Sequence, residues 1–209
     1  MKALLRRILR YLAFEHGRAV GWYKRFCNPG GDEWAAWLKR RGVLYAIGEH
    51  CSIQTNVTIA DPTYTRLGNN VRLTGCTLFG HDGSVNMLNR AYGLKLDRVG
   101  KIDIRDNVFI GHGAIILPGV TIGPNAIVAA GSVINRDVPP GSIVAGTPAR
   151  VVGDIDRLVA RLRQDTARLP WADILARRDG AFDLALQNEL DRVRIPYFFG
   201  GDIGSPPAA

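Results

Sequence analysis

From Ile104 onward the chain places an aliphatic residue at every sixth position: Ile104, Ile110, Ile116, Ile122, Val128 and Ile134. Four residues after each stands a small or aliphatic side chain, in the series Val108, Ala114, Val120, Ala126, Ser132 and Val138. Three residues after each stands Asn107, Gly113, Gly119, Asn125, Gly131 or Asp137. Gly, Asn and Asp are the types that tolerate positive φ, the backbone state a tight corner needs. A period of six fits neither a 3.6-residue helix nor long alternating strands. It predicts short strands separated by corners, wound so that successive coils bury the aliphatic ladder and pair their strands in parallel. That is a parallel β-helix with about three hexapeptides per coil.

A weaker stretch keeps the same period: Ile47, Ile53 and Ile59, then Leu67 and Leu73 after a two-residue slip. Asn56 and Asn70 occupy its corners, whereas His50, Pro62 and Cys76 depart from the rule. The repeat stops between Phe79 and Lys101, which predicts an excursion of about twenty residues leaving the coil as an external loop. Three segments follow: an N-terminal helical segment over 1–43, a β-helix over 44–152 with an extruded loop at 80–101, and C-terminal helices and tail over 153–209.

In the first segment Leu4, Leu5, Ile8, Leu9, Leu12 and Ala13 form an apolar stripe at helical spacing, with Lys2, Arg6, Arg7 and Arg10 elsewhere on the surface. Asn28-Pro-Gly-Gly31 breaks the helix, and Trp34, Trp37 and Leu38 begin another stripe. In the last segment Asp154 opens a capped helix and Pro170-Trp171 restarts a second. These helices are expected to cover the open end of the coil, and residues 200–209 to be disordered.

Composition narrows the class. Of 209 residues, 46% are hydrophobic and 22% charged, as in an ordinary globular protein. No apolar run approaches the roughly 20 residues that cross a bilayer. Arg6, Arg7 and Arg10 interrupt the N-terminal apolar stretch where a secretion signal needs an unbroken run. Cys27, Cys51 and Cys76 have no CxxC spacing, which argues against a disulfide framework and fits a reducing cytoplasm. The net charge of +8 favours anionic partners. The basic N-terminal helix reads in two ways: a peripheral contact with an anionic membrane surface, or a helix packed on its own coil or a neighbour with its basic face solvated. Nucleic acid is set aside, because basic and aromatic residues are not interleaved and no reader motif is present.

The run from Val108 through Ile134, continuing through Asp137-Val-Pro-Pro-Gly141 to Ala145-Gly-Thr-Pro-Ala-Arg150, closely resembles the hexapeptide-repeat acyltransferases, most of all their sugar and polysaccharide O-acetyltransferase branch. His81-Asp82-Gly83-Ser84, Val99-Gly100 and Tyr197-Phe-Phe-Gly200 are similar to that branch as well. The resemblance is specific over about 44–152 and looser at both ends. It implies a left-handed β-helix, against the right-handed rule for parallel crossovers. It also implies a homotrimer with acetyl-CoA bound between neighbouring subunits.

Acyl transfer from a thioester needs a base for the acceptor, donors for the developing oxyanion, and a grip on the thioester. The chain has four histidines, His16, His50, His81 and His112. His81 lies in the extruded loop and matches the family's catalytic histidine; a histidine's ordinary pKa near 6.5 suits a base at neutral pH. Without the resemblance it would read as a surface histidine. Asp82 is a candidate to orient His81, to bind a sugar hydroxyl or to cap a turn, and Ser84 to contact the acceptor or stabilise that turn. The resemblance places donor contacts at Phe109, His112, the backbone of Ala130, Arg136 and Arg150, the arginines suiting CoA phosphates. The family often carries Trp where this chain has Phe109, and Ser, Gly or Ala where it has His112.

A covalent acyl-enzyme is not expected, since there is no GxSxG elbow and Cys51 and Cys76 fall within the coil. Zinc is not expected either, because His112 has no partner five residues away. The expectation is a cytoplasmic acetyl-CoA-dependent O-acetyltransferase acting on a sugar, nucleotide-sugar or lipid-linked saccharide in surface polysaccharide synthesis, by direct transfer. An N-acetyltransferase of an amino-sugar nucleotide and a non-catalytic trimeric scaffold are the rivals.

Overall fold

The structure, a computed structural model, describes residues 2–180 and 183–200. The expectation of disorder beyond Gly200 falls on residues outside the described ones. From Ala46 the chain winds into a triangular coil with three faces. The first face holds β1 (Ala46–Ile47), β4 (Thr65–Leu67), β7 (Ile102–Ile104) and β10 (Thr121–Ile122). The second holds β2 (Ser52–Ile53), β5 (Arg72–Leu73), β8 (Val108–Ile110), β11 (Ala126–Val128), β13 (Ser142–Gly146) and β14 (Ala149–Asp154). The third holds β3 (Thr58–Ile59), β6 (Thr77–Leu78), β9 (Ile115–Ile116) and β12 (Val133–Ile134).

Every pairing within these faces is parallel except β13 with β14, an antiparallel hairpin that ends the stack. Register keeps the six-residue ladder in columns: Leu67 beside Ile104 and Ile122, Leu73 beside Ile110 and Val128, Leu78 beside Ile116 and Ile134. All nine are buried, and each such side chain contributes roughly 1.5–3 kcal/mol by leaving water. The small residues four places later, Ala114, Val120, Ala126 and Ser132, are buried where the coil narrows at its edges.

The corners follow the expected backbone rule except at Asn56 and Asp137. Asn107, Gly113, Gly119, Asn125 and Gly131 all have positive φ, and so do Asn70 and His50 in the irregular early coils. Asn70, Asn107 and Asn125 stack on the edge between the first and second faces, each amide donating to the next side-chain oxygen at 3.0 and 2.9 Å. Asp137 stays out of the left-handed region, against expectation. The regular winding ends there, and its carboxylate accepts the Thr121 N–H at 2.7 Å.

α1 (Lys2–His16), α2 (Val20–Cys27) and α3 (Gly31–Arg40) precede the coil. They belong to the same compact unit, which runs through Ile155, so the N-terminal segment is not a separate body. α3 packs on β2, Trp37 donates to the Ala13 carbonyl at 2.9 Å, and Leu9, Ala13, Tyr23 and Trp34 join the core. The excursion after β6 contains a helix, α4 (Ser84–Tyr92), where the sequence suggested only loop. α5 (Ile155–Ala167) leads into a second unit, from Asp156 on, with α6 (Ala172–Ala176) and α7 (Gln187–Phe199). There Trp171 is buried edge-on against Tyr197 and Phe198, with Arg194 over its ring.

Candidate active site

The excursion leaves the coil at the edge between the third and first faces. Its neck is a short antiparallel contact: His81 faces Val99, Gly100 donates to the Gly80 carbonyl at 2.7 Å, and Asp82 donates to the Arg98 carbonyl at 3.0 Å. Beyond the neck the Asp82 carboxylate accepts the Ser84 N–H at 3.0 Å as α4 begins. The Asn89 side chain holds Leu96 by both its N–H and its carbonyl. This hydrogen-bonded frame keeps His81 at the rim, about half exposed, instead of on a free loop.

His81 Nδ1 lies 2.7 Å from Asp61 Oδ2, and the same oxygen accepts the Gly80 N–H at 2.9 Å. A carboxylate only accepts, so the proton of this contact sits on Nδ1, and in the neutral ring Nε2 is the nitrogen with the free lone pair. Asp61 comes from the coil beneath. Ile59 pairs with Leu78, which sets Asp61 level with Gly80 although about twenty residues separate them. The carboxylate in contact with the His81 ring is Asp61, which the sequence reading did not name, while the Asp82 carboxylate turns to Ser84. Adjacent side chains diverge, and Asp82 is occupied by Ser84, whose hydroxyl and N–H hold its carboxyl below the usual range, with Arg98 3.6 Å away. Ser84 likewise stabilises this turn.

The residues expected to meet the donor are spread over the coil. Phe109 is central on the outer side of β8, between Arg72 and Ile127, and 40% exposed. His112 and Ala130 share the edge between the second and third faces, with the His112 carbonyl accepting the Gly131 N–H at 2.8 Å. The His112 ring lies over Gly75, whose missing side chain leaves that space. Arg136 is exposed on the edge that carries His81, two coils further along. Arg150 is exposed on β14, its Nη1 bonded to the Ala149 carbonyl at 2.9 Å. One chain thus joins His81 to Asp61, and His112 to Ala130, on different edges. An open groove of about 600 Å³ lined by Arg105, Thr121, Pro124 and Pro139 lies on the remaining edge and contains none of these residues.

Away from the excursion, Asp103 is 2% exposed on the first face, clasped by Arg66 at 2.7 and 2.5 Å and by Arg105 at 2.9 Å. Those bonds, Arg66 foremost, hold its carboxyl below the ordinary range despite burial. Burial pushes the Cys76 thiol up to about 11, and that of Cys51 upward. Neither thiol is suited to attack a thioester. Among the described residues, no three His, Cys, Asp or Glu side chains converge to hold a metal ion, and no helix is long and apolar enough to cross a membrane.

The repeats match the bacterial transferase hexapeptide family (six repeats) over residues 101–136. YvoF of Bacillus subtilis, whose acetyltransferase designation is provisional, is 33% identical over 130 residues, 61% of this chain and 71% of YvoF. The chain belongs to the hexapeptide-repeat transferases. Its coil is accordingly the left-handed parallel β-helix of that family. The galactoside O-acetyltransferase of Escherichia coli is 33% identical over 115 residues, 53% of this chain and 54% of that enzyme. A 2,3,4,5-tetrahydropyridine-2,6-dicarboxylate N-acetyltransferase of Clostridium perfringens is 55% identical over 53 residues, 25% of this chain and 22% of that enzyme. The hexapeptide-repeat transferase thus spans about half the length of the first enzyme and under a quarter of the second. Among solved structures, a hexapeptide-repeat-containing acetyltransferase from Vibrio cholerae is 26% identical with a TM-score of 0.47, covering 60% of this chain and 81% of that one.

Proposed function

We propose that this protein is an acetyl-CoA-dependent acetyltransferase that acylates a hydroxyl of a sugar, nucleotide-sugar or lipid-linked saccharide destined for a surface polysaccharide. The observation that carries the reading is the His81–Asp61 pair at 2.7 Å, set on the rim of a hexapeptide coil. Asp61 fixes the ring and its tautomer, so His81 Nε2 removes the acceptor proton as the oxygen attacks the thioester carbonyl. The imidazolium formed is stabilised by Asp61 and returns the proton to the departing CoA sulfur as the C–S bond breaks. Backbone N–H groups of the cleft stabilise the oxyanion.

Arg136 and Arg150 are placed to meet the CoA phosphates, with Phe109, His112 and Ala130 along the pantetheine. Because the His81 and Ala130 edges are not joined within one chain, the complete site is assigned to a homotrimer. Unpaired Cys27, Cys51 and Cys76 suit a cytoplasmic setting.

The test is thiol release from acetyl-CoA against a panel of matched hydroxy and amino sugars, with His81→Ala beside the wild type. Loss of turnover on a hydroxy acceptor, with fold and assembly retained, is the expected result. Full turnover by the variant overturns the assigned base, and no turnover on any acceptor leaves the scaffold rival standing. The 55% identity to an N-acetyltransferase segment favours amine transfer as the second reading. Preference for the amino sugar of each pair would establish it.

A further inference from the structure

The N-terminal hairpin has an unusual outer surface. In α1, Leu9 and Ala13 are buried against the protein, yet Leu4 is 63% exposed, Tyr11 58% and Ile8 47%. At about 100° per residue, Leu4, Ile8 and Tyr11 lie within roughly 60° of one another and about 100–160° from Leu9. The apolar side chains therefore continue round the helix onto its solvent side. Arg10, at about 100° from Leu9 on the other flank, is paired with Glu33 at 2.9 Å and stays largely exposed. α2 repeats the arrangement: Tyr23 is buried, while Trp22, 65% exposed, stacks on the exposed Phe26 with ring centroids 5.5 Å apart. Arg6 ties the two helices together by donating to the Phe26 carbonyl at 3.1 Å.

Charge selects the occupant. Residues 2–27 carry Lys2, Arg6, Arg7, Arg10, Arg18, Lys24 and Arg25 against Glu15 alone, which is six of the eight net positive charges of the chain. Lys24 is committed to the Thr55 carbonyl, but Lys2, Arg7 and Arg25 are exposed on the same two helices as the apolar stripes. A second copy of this hairpin would bring like charge to like, whereas an acidic lipid surface offers anionic headgroups above an apolar layer. Trp and Tyr beside cationic side chains suit that boundary, the rings entering the headgroup region while the long basic stems reach phosphate.

We propose that the α1–α2 hairpin binds the surface of an anionic phospholipid bilayer through Leu4, Ile8, Tyr11, Trp22 and Phe26, with Arg7 and Arg25 meeting the headgroups. The inference is independent of the catalytic reading. It would hold the transferase at the membrane whether the acceptor is an oxygen or an amine.

The full-length chain is sedimented with vesicles of phosphatidylethanolamine containing phosphatidylglycerol, and in parallel with vesicles of phosphatidylcholine alone. The protein should pellet with the anionic vesicles, weaken steeply as salt is raised past about 0.15 M, and remain in solution with the zwitterionic ones. Two variants separate the contributions: Ile8→Ser with Trp22→Ser for the apolar stripe, and Arg7→Glu with Arg25→Glu for the charge. Each should reduce the vesicle-bound fraction by about 10-fold or more, with an unchanged melting temperature and unchanged thiol release. No binding to anionic vesicles at low salt overturns the proposal. So does a fall in solution mass for the Ile8→Ser/Trp22→Ser variant without loss of vesicle binding, which would assign the stripe to contact between copies.

Discussion

A histidine that must take one proton and return it needs a partner that fixes the ring and bears the transient charge, and Asp61 is placed to do both. Asp61→Asn keeps the shape but lets the amide flip, so Nδ1 is no longer held as the donor. Turnover should fall by up to the roughly 10²–10⁴-fold that a general base supplies, with little change in the KM for acetyl-CoA, measured by initial rates of thiol release. An Asp82→Asn variant should lose far less, because that carboxylate serves the Ser84 turn. The position of His81 outside the repeat is legible from the sequence, because the six-residue period stops just before it. Its partner is not, because the two-residue slip between Ile59 and Leu67 hides the register that brings Asp61 beside Gly80. Counting back from paired strands recovers it; proximity in sequence points to Asp82.

Residue-scale electrostatics also predict a pH effect. The Asp103 carboxyl is held below its ordinary 3.8 by Arg66, so its contribution to stability is present above that value and disappears as pH falls through the lower folded value. Arg66→Ala removes two charge-assisted bonds but leaves Arg105 in place. Discounted for the exposure of Arg66, the cost is about 1–2 kcal/mol at neutral pH. In thermal melts the gap between variant and wild type should be steady from about pH 7 to pH 5 and close as Asp103 protonates in more acidic buffer.

At the scale of the element, what allows coils to stack is visible at two kinds of glycine. Gly131 has φ +69° and open space around its missing side chain, so Gly131→Ala costs only the left-handed strain, about 1–2 kcal/mol. Gly111 has ordinary φ, but a Cβ there would meet the backbone nitrogen of Ala130 in the next coil at 2.5 Å. Gly111→Ala must spread two hydrogen-bonded coils and should lower the melting temperature more than Gly131→Ala, by the cost of overpacking, typically 1–3 kcal/mol or beyond. The sequence rule found the turning glycines because Asn substitutes for them at Asn107 and Asn125 and makes the period conspicuous. The spacing glycines went unremarked because their requirement is set by a residue one coil away. α4 escaped for a different reason: Val85, Leu88 and Tyr92 keep helical spacing for only about two turns, too short a run to mark a helix against the surrounding loop.

Across the whole molecule, the triangular section sets the proposed base and the proposed pantetheine contacts on different edges of one chain. His81 and Asp61 stand on one edge, His112 and Ala130 on another, with the third face between them. If the donor lies between neighbouring copies, each site takes its base from one protomer and its Ala130 edge from the next. That arrangement makes a mixing experiment decisive. His81→Ala lacks the base, and Ala130→Trp fills the exposed edge where pantetheine would run; each should be inactive alone. Unfolded together and reassembled in equal amounts, random trimers contain interfaces in which an intact His81 faces an intact Ala130 edge. These should restore roughly a quarter of wild-type thiol release. Activity that stays at the level of the separate variants, in mixed trimers verified by mass, would place base and donor within one protomer. That outcome would require the excursion carrying α4 to fold across the third face in the working enzyme.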